Sequence, residues 1–173
     1  MSGDDERLGR LFEYTKFHIG VYLLLGTGIL GALGSKEGTT IVEALQPGLL
    51  GGALAFLAFA GLAGGVIASA TTRSRSWAQA MTEDDHGPGP KSLRMNGNGW
   101  AKCEHWSFWI CLTLIVVALG VGNVPASSVS ARVQAVFGLS IGAVFCIVFW
   151  GASLASAPSR MSGTSSGTED RTG

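Results

Sequence analysis

Of the side chains from which metal sites and proton carriers are built, His18, Cys103, Glu104 and His105 stand out by position. Each sits at the start of a long apolar run. His18 belongs to Tyr14, His18 and Tyr22, which on a helix stand at i, i+4 and i+8 and form one polar-aromatic stripe. The ligand spacing is poor, because Cys103-x-His105 does not place two ligands on one helical face. Neither His18 nor His105 belongs to a His-x3-His or Glu-x-x-His pair either. The chemistry favoured by these types and spacings is therefore hydrogen bonding that fixes the first helix against the third. A metal or haem redox centre on His18 and His105 is the alternative, and a pH-sensitive contact is a third reading. Asp84-Asp85-His86 stands among Gly and Pro, without rigid support, and reads as a solvated acidic patch.

The elements that must position these groups are four apolar runs, residues 17–34, 47–70, 106–122 and 133–155. At 1.5 Å per residue they reach roughly 25 to 36 Å, against a hydrocarbon core of about 30 Å. The second and fourth can span with tilt, whereas the first and third need their aromatic and polar flanks. Lipid offers the backbone no hydrogen-bond partner, so all four are predicted helices. Ala32-x-Gly34 after the first run has the form of a cleavage site, but acidic Asp4-Asp5-Glu6 makes a poor leader. A retained anchor is expected.

Positive charge sets the sides. Ten Lys and Arg fall on the N-terminal flank, the central segment and the tail, and two (Lys36, Arg132) on the other face. Both termini and the segment 71–105 are thus expected in the cytoplasm. Trp77, Trp100, Trp106, Trp109 and Trp150 would all lie on that half, as a one-sided aromatic belt. The belt reads as anchoring for two short helices or as a docking surface. Arg73, Arg75 and Trp77 are candidates to hold anionic lipid headgroups. Residues 73–81 are expected to prolong the second helix, and Asn96-Gly97-Asn98-Gly99 to form a turn. Outside the membrane, Thr40-Ile41-Val42-Glu43 reads as a capping box and residues 123–128 as a turn. The flank 1–16 is cytoplasmic in this reading, and the Ser- and Gly-rich tail 156–173 is disordered.

Composition agrees. Charged residues make up 14% and glycines number 26, where soluble domains carry about 25% charge and about 7% Gly. A net charge of +0 gives no reason to expect nucleic acid. Gly48-xxx-Gly52, Gly61-xxx-Gly65 and Gly138-xxx-Gly142 offer close-packing faces, within the unit or between copies. No Asp, Glu, Lys or Arg lies inside the four runs, which argues against proton relays, voltage sensing and ion-coupled transport. No phosphate loop, nucleophile elbow or HExxH occurs. Three cysteines form no CxxC or disulfide-like pattern, and no cofactor is implied.

These observations lead to an all-α integral membrane protein of the inner (plasma) membrane, multi-pass, with two helical hairpins forming a four-helix bundle. The expected role is non-enzymatic: a membrane-embedded subunit or self-assembling, pore-forming or membrane-perturbing module. Its partners would be lipid and either its own copies or a cytoplasmic or membrane protein. The expected contact rim is Glu13, Tyr14, His18, Tyr22, Glu104, His105, Trp106 and Trp109. A passive carrier or channel for a small uncharged solute remains the other class.

Overall fold

In the computed structural model the described residues are 3–34, 46–82, 86–90, 94–120 and 131–155. They form five helices: α1 (Gly3–Gly34), α2 (Pro47–Arg73), α3 (Trp77–Thr82), α4 (Gly97–Gly120) and α5 (Ala131–Ala155). All but the short α3 are long and apolar enough to cross a membrane. Among the described residues β pairing is limited to one bridge, between His86 and Met95. The expectations for residues 40–43, 84–85, 123–128 and 156–173 fall outside the described residues.

Helix ends explain where sequence reading misplaced the boundaries. α1 starts at Gly3 rather than at 17, because its polar first half supports itself with ion pairs Glu6–Arg10 and Glu13–Lys16 at helical spacing. α2 opens on Pro47, whose fixed φ suits a first helical position. It does not continue through 81. It stops at Arg73, and the Ser76 hydroxyl accepts the Gln79 N–H at 3.1 Å while the Gln79 side chain accepts the Arg75 N–H at 2.8 Å. This near capping box starts α3 as a separate turn and a half. The predicted turn at Asn96 is instead a helix start. Its side-chain oxygen accepts the Gly99 N–H at 2.8 Å and caps α4, nine residues ahead of the apolar run.

α2 is the central element. In its most apolar 18-residue window 56% is buried, against 6% in α1 and 17% in α5. Contacts give the relative directions. Gly64 meets Thr15 and Ile19 of α1 while Gly26 meets Leu57, so α1 and α2 run antiparallel. Cys111 packs among Ala53, Leu57 and Ala60, and Trp100 beside Ala63 and Ile67, so α4 is also antiparallel to α2. Gly48 lies against Gln134, and Ile67 lies against Phe149 and Leu154, so α5 runs parallel to α2. Helices α1, α4 and α5 thus pack around α2 rather than equally around a shared axis.

At the end of α2 near Arg73 a small cap forms. Leu8 of α1 packs on Ala80 and Met81 of α3, with Trp77 and Ala101 alongside. Trp100 is completely buried, its ring 5.9 Å from that of Trp150, and its Nε1–H donates to the His86 carbonyl at 2.9 Å. The one-sided aromatic set is therefore not one belt. Trp100 is core, Trp77 and Trp150 are partly covered, and Trp106 and Trp109 are exposed at 58% and 51%. Trp100, whose N–H is bonded inside the protein, does not need the headgroup region.

Candidate functional site

α4 begins at Gly97, so Glu104 lies about two turns inside a helix rather than at its mouth. It is 6% exposed, facing α1 and α2. Lys102 and Glu104 belong to α4 but precede the run 106–122, which carries no charge.

Three helices build its surroundings. From α1, the Tyr22 hydroxyl donates to Glu104 Oε1 at 2.9 Å, and His18 Nδ1 lies 3.4 Å from the same oxygen. Tyr22 is 5% exposed, and its ring stacks on Phe108 of α4 at 5.2 Å. From α2, Gly64 leaves the space: a Cβ there would stand 3.4 Å from Oε1 and 3.3 Å from Ile19. The predicted stripe on α1 is present, with the Tyr14 and His18 rings 4.0 Å apart and those of His18 and Tyr22 6.0 Å apart. Both polar contacts of Glu104 fall on Oε1, and Oε2 receives no hydrogen bond from the described residues. These groups line an open cavity of about 370 Å³, whose wall also includes Thr15, Lys102 and Trp106.

The remaining rim candidates divide. His105 lines the same cavity, but its Nε2 accepts the Trp109 indole N–H at 2.9 Å on the exposed side of α4. Glu13 is exposed and pairs with Lys16 at 3.1 Å, away from the carboxylate cluster. Cys103 turns to α5, where its thiol donates to Ser153 Oγ at 3.7 Å. His18, His105, Cys103 and Glu104 are therefore not one ligand set. Among the described residues no three His, Cys, Asp or Glu side chains gather in metal-binding geometry. The arrangement can instead hold a negative charge beside aromatic rings, reachable from outside.

The glycine faces also separate. A Cβ on Gly138 would overlap the Gly48 carbonyl, and one on Gly142 would stand 2.8 Å from the Ala55 Cβ. Gly52 meets Leu114 and the Gly138 carbonyl at 3.5 and 3.6 Å from such a position. Gly61 and Gly65 meet nothing within 4 Å; Gly61 lines a groove between α1 and α2, and Gly65 is exposed. Gly51 and Gly64, one residue out of register with the expected motifs, lie at the contacts instead. A Cβ on Gly51 would overlap the Ala135 carbonyl. Beside this crossing an apolar cleft of about 610 Å³ opens between α2, α4 and α5, lined by Phe56, Leu114 and Phe145 among others. Arg73 and Arg75 are exposed at the end of α2 near the cap, with Trp77 half-buried beside them.

In comparisons with known proteins, no protein-family model, no curated protein and no solved structure matches this chain.

Proposed function

We propose that this chain is a multi-pass protein of the inner membrane, with its termini and its central segment in the cytoplasm. It acts without catalysis as the membrane-embedded subunit of an assembly made with its own copies or with a partner protein. The observation that carries this reading is the unequal enclosure of its helices. α2 is wrapped by its neighbours, while α1 and α5 keep broad apolar faces, including Leu23, Leu24, Phe137 and Phe145. Such faces need lipid or another helix against them. The alternating directions of α1, α2, α4 and α5 fit four successive crossings, and the charge bias supplies the orientation. Tyr14, Phe17, Trp106 and Trp109, all exposed near the carboxylate cavity, supply the contact rim at the cytoplasmic end. Arg73 and Arg75 face the headgroups at that end.

Two measurements test this. A reporter fused after Gly173 should be active only in the cytoplasm. Crosslinking in native membranes should yield adducts larger than the monomer, whereas monomers alone would remove the assembly role.

A further inference from the structure

We propose that the cavity between α1 and α4 is a binding site for an organic ammonium group, with Glu104 as its counter-ion and Tyr14, Tyr22, Trp106 and Phe108 as its aromatic surround. The inference rests on the membrane reading only for one of its two ligand sources, an amino headgroup of a lipid. A free amine could reach the same cavity from the aqueous side.

The argument begins with charge. A carboxylate removed from water requires a compensating cation, because burial of an unpaired charge is costly. Within 4 Å of Glu104 the described residues offer one cationisable group, His18, which carries charge only when protonated. Lys102 lines the cavity, yet it forms no ion pair with Glu104. Tyr22 and His18 occupy Oε1, and Oε2 remains without a hydrogen bond. An incoming N–H donor, or the positive face of a quaternary ammonium, has an acceptor waiting.

Shape and chemistry then select the cation. The volume of about 370 Å³ falls in the range of small-molecule sites. Calcium takes six to eight oxygen ligands, whereas one carboxylate is the anionic group on this wall. Aromatic faces around a carboxylate are the environment that attracts alkylated ammonium groups, through the ring quadrupole. The cavity lies at the end of the helices where α1 passes out of its apolar run. There the ammonium of a phosphatidylethanolamine headgroup and a soluble amine present the same chemistry.

The full-length protein, reconstituted in nanodiscs of phosphatidylglycerol alone, would be titrated with tetramethylammonium and with ethanolamine. Tryptophan fluorescence is the readout, and tert-butanol and NaCl serve as neutral and ionic controls. A parallel arm measures retention of phosphatidylethanolamine against phosphatidylglycerol by native mass spectrometry from mixed micelles. Saturable binding in either arm, absent with the controls, is the expected result, and the arm that responds identifies the source. Glu104→Gln should weaken it about tenfold or more, the loss of one charge-assisted contact. Trp106→Leu changes a side chain that is 58% exposed, and should weaken binding about two- to fivefold. It keeps the proposal testable if Glu104→Gln fails to fold. No saturable signal in either arm, or wild-type affinity in a folded Glu104→Gln protein, overturns the proposal. Carbonate extraction of the membranes reports separately on the membrane reading. A chain that washes off would sink that reading while leaving the amine titration valid.

Discussion

The two ends of α2 use glycine for opposite purposes. Near Gly48, Gly51 and Gly52 the missing side chains let α5 approach until backbone meets backbone, against Ala135, Gly138 and Gly142. At Gly64 the missing side chain leaves room for a carboxylate from α4, with Tyr22 and His18 of α1 closing over it. The first contact is fixed by backbone atoms that cannot move aside. The second is made by side-chain ends that can. A helix with one composition therefore carries a rigid joint at one end and an adaptable polar pocket at the other.

The largest effect should come from filling the rigid joint. Gly138→Leu and Gly51→Leu drive a side chain into a carbonyl, and each should cost at least the roughly 3 kcal/mol upper end of overpacking penalties. Unfolding in mixed micelles would measure it, and a loss below 1 kcal/mol would mean the joint is not close-packed. Trp100→Phe removes the bond to the His86 carbonyl and leaves part of a fully buried indole site empty, and should cost about 1–3 kcal/mol in the same assay. The polar pocket should respond less. A double-mutant cycle on Tyr22→Phe and Glu104→Ala should give a coupling of about 1 kcal/mol, typical of hydrogen bonds between membrane helices. A coupling near zero would separate α1 from Glu104. The smallest shift is expected at Gly65→Ala, where nothing crowds the added methyl. A helix-interior Gly is disfavoured against Ala by roughly 0.5–1 kcal/mol, so stability should hold or rise. Destabilisation of assembled protein by Gly65→Ala, with the monomer unaffected, would point to a second copy against that face.

Much of the site was nearly readable before folding. Tyr14, His18 and Tyr22 share a face by spacing alone, and the structure places them on one stripe. Hydropathy alone starts the third helix at Trp106, with Glu104 at its mouth. The cap at Asn96 begins α4 earlier, inside a polar stretch that hydropathy does not mark as helix. Glycine spacing marks Gly48, Gly52, Gly138 and Gly142, which do lie at contacts, but in Gly64-Gly65 either neighbour could face a partner, and only the partner's position turns Gly64 inward.

What the sequence determined by itself is four apolar helices with a biased distribution of positive charge, because length, hydropathy and charge act on each segment separately. Only the tertiary structure decided that α2 is central, that Trp100 is core and that Glu104 meets Tyr22 and His18. Those outcomes depend on which face each helix turns to its neighbours. Rotation about a helix axis is set by packing between helices, which no single segment encodes.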